Sequence, residues 1–136
     1  MNDEDLRRAL VARLRPALRD LRWLALFGSR ARGDATRDSD VDVALLACDP
    51  IADERLRALR SDLEIAVRCD VHLIDLRRAS TVLRSQVVAD ADVLFTTGDA
   101  DTEQFLDFVL SDYARLNEER RDIVRDVRER GSVHGG

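Results

Sequence analysis

The chain has 136 residues, 36% of them charged, a net charge of −5 and only 4% aromatic residues. That length fits one domain, long enough to bury roughly two thirds of the surface its unfolded form exposes. All 22 basic residues are arginines, yet the acidic balance and scarce rings exclude the basic, aromatic face that direct binding of long nucleic acid requires.

The opening "MNDEDLRRAL" has no apolar signal region, and the longest apolar run, Val43 to Cys48, is too short to cross a bilayer. No membrane partner and a cytoplasmic location are expected. Leu6, Leu10, Val11 and Leu14 recur at helical spacing, so residues 4–14 are predicted to form a helix that Pro16 ends or kinks. "RWLALFG" reads as a first strand and "DVDVALLA" as a second. "ADERLRALRSDLEIAV" then reads as a helix with Leu56, Leu59, Leu63 and Val67 on one face. "CDVHLIDL" is a third strand, residues 79–89 a short helix through Val82, Leu83 and Val87, and "ADVLFTT" a fourth, edge strand closed by Gly98 and Asp99. Residues 101–130 return to a helical pattern, and the tail 131–136 is expected to be disordered.

This order implies an α/β (α+β) layer fold. A short turn between the first two strands makes them antiparallel, whereas the helix between the second and third permits a right-handed parallel crossover. Asp40 and Asp70 then arrive at one end of the sheet. Cys48 lies at the other end, on the order of 25 Å from Cys69, so both cysteines read as small free thiols.

The stretch "LFGSRARGDATRDSDVDVALL" carries the chemistry. Asp40 and Asp42 lie two apart on a strand and share a face. Carboxylates this close repel unless a cation sits between them, and Mg2+ takes carboxylate and phosphate oxygens together. Across from them Gly28 permits a tight turn, and the Ser29 hydroxyl with the amides opening "SRARG" suits phosphate oxygens. The segment reads as a triphosphate seat facing a metal seat. Arg30 and Arg32 are placed either to neutralise a triphosphate or to pair with nearby aspartates. Arg37 reads as solvated. His72 shares a strand face with Asp70, where a single half-buried histidine is structural more often than catalytic, so both roles stay open. Asp75 competes with Asp70 for a third carboxylate role, but alternation puts it on the opposite face, where it suits a helix N-cap.

Gly28-Ser29, ten residues, Asp40-x-Asp42 and then Asp70 opening a later apolar strand resemble the nucleotidyltransferase superfamily related to DNA polymerase β. "LFGSRARG", "SDVD" and "DVHLIDLRRAS" are similar in particular to the minimal nucleotidyltransferase antitoxins of HEPN/MNT toxin-antitoxin systems. The resemblance covers residues 22–98, with one departure at "VVADADVLF", where relatives often carry a glycine before the last strand. It implies a small mixed sheet flanked by helices: a nucleotidyltransferase domain over 1–98 and a long C-terminal helix over 99–130.

The same resemblance implies Mg2+-dependent transfer of AMP from ATP to a hydroxyl of a HEPN ribonuclease toxin, a tyrosine by preference, with release of pyrophosphate from a two-metal site. Asp40 and Asp42 would be metal ligands and Asp70 the second-metal ligand or general base. Gly28, Ser29, Arg30 and Arg32 would hold the nucleotide. Two alternatives stand beside it. A small-molecule, aminoglycoside-type nucleotidyltransferase needs an acceptor domain for which little chain remains after residue 98. A binding-only antitoxin has no need of a costly acidic cluster. The last helix would span about 45 Å, against a radius of gyration near ~14 Å, so one end overhangs. Phe105, Phe108, Val109, Tyr113 and Leu116 are expected to pack on the core. Ile123, Val124 and Val127 form a narrow stripe suited to docking a partner, as a homo- or hetero-oligomer.

Overall fold

The computed structural model describes residues 2–33 and 39–133, with side chains through Glu119. Helix α1 (Asp3–Ala17) begins at Asn2, whose side-chain oxygen accepts the Asp5 amide at 2.8 Å, and it gathers Asp3, Glu4 and Asp5 where the helix dipole favours acids. Leu6, Leu10 and Leu14 are its buried stripe. The helix does not end ahead of Pro16; that residue lies inside the last turn, and the Leu18 amide still donates to the Leu14 carbonyl at 2.9 Å. Pro16 has no amide hydrogen to give to the Ala12 carbonyl, yet the turn that contains it is completed at Leu18.

Four strands follow the predicted pattern: β1 (Leu21–Phe27), β2 (Val41–Ala47), β3 (Val71–Asp75) and β4 (Asp92–Thr96), ordered β3-β2-β1-β4. β1 is antiparallel to both β2 and β4, and β2 is parallel to β3, which it reaches through α3 (Asp53–Val67). Alternation sorts the side chains into two layers. Leu24, Leu26, Val43, Leu45, Val71 and Leu73 pack with α1 and with Leu59, Leu63 and Val67 of α3. Trp23, Ala25, Ala44, Leu46 and Ile74 pack on the other face with Val87 of α4 (Thr81–Asp90) and with Phe105 and Leu106 of α5 (Ala100–Val133). β2 is covered on both sides, and Asp42 is its one residue that is not buried. Cys48 and Cys69 are free thiols.

Four local expectations change. "SRARG" is not an open turn but a single-turn helix, α2 (Ser29–Arg32), closed by Gly33 in the left-handed conformation. Ser80, accepting the Leu83 amide at 3.2 Å, caps α4, so the helix starts two residues later than predicted and leaves Val82 and Leu83 exposed. Asp75 is not that cap: buried to 3% exposure, it accepts the Ile51 amide at 2.8 Å and the Arg77 amide at 3.0 Å. It ties together the loops that follow β2 and β3, and the turn after it sets it too far from Thr81 to cap. On α5 the buried stripe runs through Thr102 and Val109, so Phe108, one residue off that stripe, stays 61% exposed rather than packing on the core. Phe105, Tyr113 and Leu116 are partly buried.

α4 ends through an extended Ala91, so the turn in "VVADADVLF" needs no left-handed glycine. α5 continues to Val133, three residues past the expected Arg130. Arg37, the side chains of Ile123, Val124 and Val127, and positions 134–136 lie outside the described residues.

Asp99 anchors the start of α5. Its carboxylate accepts the Thr102 hydroxyl at 2.6 Å, the Thr97 hydroxyl and the Thr102 amide at 3.2 Å, and it meets Arg22 at 3.2 Å. Those bonds, Thr102 first and Thr97 next, hold its pKa well below the usual carboxylate range. A depressed folded pKa stabilises the fold above the unfolded value, near ~3.9, and that contribution is lost as pH falls below it. Urea unfolding at pH 5 and pH 3 is therefore expected to show a larger acid loss in the wild type than in Asp99→Asn; equal losses would remove Asp99 from this role.

Candidate active site

The backbone leaving β1 makes the site's sharpest feature. Gly28 has φ +72° and ψ −150°, a combination open to glycine alone, and it lies against Asp42, which is paired with Phe27 in the β1–β2 register. A Cβ on Gly28 would overlap the Asp42 carboxylate oxygen and come within 3.2 Å of Cγ. The glycine is thus required twice, by conformation and by this approach. Gly28 also accepts the Arg32 amide at 3.2 Å, which fixes α2, with Ser29 at its head, next to the carboxylate.

Asp40, Asp42 and Asp70 come to the same end of the sheet, as the topology predicts. Asp40 and Asp70 are both exposed, one residue before β2 and β3. The Asp70 carbonyl accepts the Val41 amide at 2.9 Å, and Glu64 of α3 accepts the Val71 amide at 3.1 Å. These two bonds set the register Val41↔Val71 and Asp42↔His72 at the start of the parallel pair. Among the described residues no three His, Cys, Asp or Glu side chains form a group that could hold a metal ion by themselves.

His72 is not half-buried as expected. Its side chain is 62% exposed, its Nδ1 lies 3.4 Å from Asp42 Oδ1, and the Phe27 ring flanks it at 6.1 Å between centroids. Sequence alternation put His72 on the right face, but only the strand register reveals that its neighbour is Asp42.

The arginines separate. Arg30 turns inward, 11% exposed, with Nη2 donating to the Ser39 carbonyl at 2.9 Å and Nη1 facing Asp3 at 4.0 Å. Among the described residues its buried Nε has no partner. This guanidinium braces the chain entering Asp40 from within. Arg32 stays about half exposed, 3.8 Å from Asp90 at the end of α4.

The donor set suits a hard divalent cation. The Asp42 carboxylate is 24% exposed, its only ion-pair contact among the described residues is His72, and the missing Cβ of Gly28 is what makes room for its Oδ2. Mg2+ is commonly held by one or two carboxylates plus substrate phosphates, which fits a site without a full protein cage.

Residues 15–100, which contain this glycine-serine step and the aspartates at the same sheet end, match the family Polymerase beta, Nucleotidyltransferase. The chain belongs to that family. Within it, the chain is 39% identical over 118 residues to the protein adenylyltransferase MntA of Shewanella oneidensis, covering 87% of this chain and 84% of that one. A crystal structure of a toxin-antitoxin with AMP-PNP matches with a TM-score of 0.76 and 38% identity, over 89% of this chain and 97% of that one. A structure of the tri-AMPylated Shewanella oneidensis HEPN toxin in complex with the MNT antitoxin matches with a TM-score of 0.70 and 35% identity, over 90% and 95%. The chain is therefore a homologue of MntA.

Proposed function

We propose that this protein is a Mg2+-dependent protein adenylyltransferase, an antitoxin that moves AMP from ATP onto a hydroxyl, a tyrosine by preference, of a cognate HEPN toxin and silences it. The observation that carries the reading is Gly28 held against Asp42 at the sheet end, in a chain 39% identical to MntA along most of both lengths. In the reaction the acceptor oxygen bonds to the α-phosphorus, the bond to the bridging oxygen of the β-phosphate breaks, and pyrophosphate leaves. Ser29 and Arg32 hold the terminal phosphates. Arg30 acts behind them, supporting the Ser39 carbonyl rather than reaching the nucleotide. Asp40 and Asp42 would hold the divalent ion, which would supply charge neutralisation for the triphosphate. Asp70 receives the acceptor's proton or binds a second ion.

Catalysis belongs to residues 1–98 in this reading, and α5 docks the toxin. No helix among the described residues is long and apolar enough to cross a membrane. The test is to incubate the chain with Mg2+, ATP labelled at the α-phosphate and its genomic neighbour toxin. Label is expected on the toxin, with the mass of one or more AMP units, and truncation after Asn117 is expected to weaken labelling more than ATP binding. Label found only on an aminoglycoside, with the toxin untouched, refutes the reading; toxin neutralised without label leaves a binding-only antitoxin.

A further inference from the structure

We infer that His72 is a ligand of the divalent ion and biases this site from Mg2+ toward Mn2+, an inference that rests on the metal seat proposed above. In the parallel register His72 is the β3 residue beside Asp42, and the two side chains leave the same face of neighbouring strands. Their donor atoms, Nδ1 and Oδ1, stand 3.4 Å apart. That is longer than a good N–H···O bond. It lies within a few tenths of an ångström of the ~3 Å that separates adjacent donors of an octahedral ion with 2.0–2.1 Å bonds.

The surroundings also leave the imidazole available. His72 is 62% exposed, no other charged group among the described residues pairs with it, and the tilted Phe27 ring flanks it. Asp42, for its part, has no guanidinium partner among the described residues, although all 22 basic residues of the chain are arginines. Asp42 Oδ2 lies against Gly28 while its Oδ1 faces the imidazole, so an imidazole nitrogen stands beside the carboxylates of the proposed seat. Carboxylate oxygens alone suit Mg2+, whereas imidazole nitrogen is a transition-metal ligand, and a mixed oxygen and nitrogen set shifts selectivity accordingly.

The test uses the full chain with Mn2+ and inorganic triphosphate, a phosphate ligand that contains no nitrogen, read by pulsed EPR. Wild type is expected to show nitrogen coupling to the Mn2+, and His72→Ala to lose it. Mn2+ binding by calorimetry should weaken in His72→Ala by at least the roughly tenfold that loss of even an outer-shell partner costs. His72→Asp should bind metal without nitrogen coupling and move the Mn2+ to Mg2+ affinity ratio toward Mg2+. Bound Mn2+ without nitrogen coupling in the wild type overturns the inference, as does coupling that survives in His72→Ala. Failure of the metal seat itself looks different: no Mn2+ binding by the wild type, or undiminished binding by Asp42→Ala.

Discussion

Replacing Asp42 with alanine is expected to abolish nucleotidyl transfer while leaving the chain folded and, without metal, at least as heat-stable as the wild type. Asp42 is the one position of β2 that is not buried, so the change leaves no cavity in either core layer. The group it abandons, His72, is 62% exposed and returns to water without an unpaired buried charge. What disappears is the carboxylate that Gly28 is shaped to accommodate. Thermal melts without divalent ion, paired with α-phosphate label transfer in Mg2+, separate the two effects. Transfer at near wild-type rate would place the reaction elsewhere on the molecule.

Gly28→Ala is expected to damage stability and activity together. The backbone conformation of φ +72° and ψ −150° costs a residue with a side chain about 1–3 kcal/mol. Its new Cβ also invades the space of the Asp42 carboxylate, which must swing out of the metal seat. Combining the two changes separates these costs: Gly28→Ala with Asp42→Ala removes the overlap but keeps the backbone strain. The double variant should be more stable toward urea than Gly28→Ala alone, so the two substitutions will not add. A Gly28→Ala protein that matches the wild type in both unfolding and transfer would show that the close approach is dispensable.

The layer fold was readable because period-two and helical spacings remain separate along this chain. "DVDVALLA" and "RWLALFG" have too few polar positions for any element but covered strands, and a long helical run between β2 and β3 leaves only a parallel crossover. The predicted strands and long helices are all present. Less readable was whatever depends on which atoms meet across elements. Pro16 acts according to its distance from a helix end, which periodicity does not locate to one residue. Asp75 fits a cap by its place in the sequence, but the Ile51 amide that it accepts comes from a loop 24 residues earlier. At the site, residue types and spacing placed Gly28, Asp40, Asp42 and Asp70 at one sheet end. Spacing could not tell the two arginines apart: Arg30 turns under the loop and Arg32 faces outward because α2 forms a helical turn. His72 became visible only through its register with Asp42.

The strand order also bears on how the protein is made. β1 finds its β2 partners about 20 residues later in the chain, but its other edge, from Trp23 to Leu26, must wait about 70 residues for β4. At ~5–20 residues per second that second interval lasts roughly 4–14 s. Throughout it, one side of "LRWLALF" is an unpaired apolar edge of the kind that recruits foreign strands. A ribosome stalled before Asp92 therefore holds an aggregation-prone nascent chain, whereas one that has released β4 holds β1 paired on both sides.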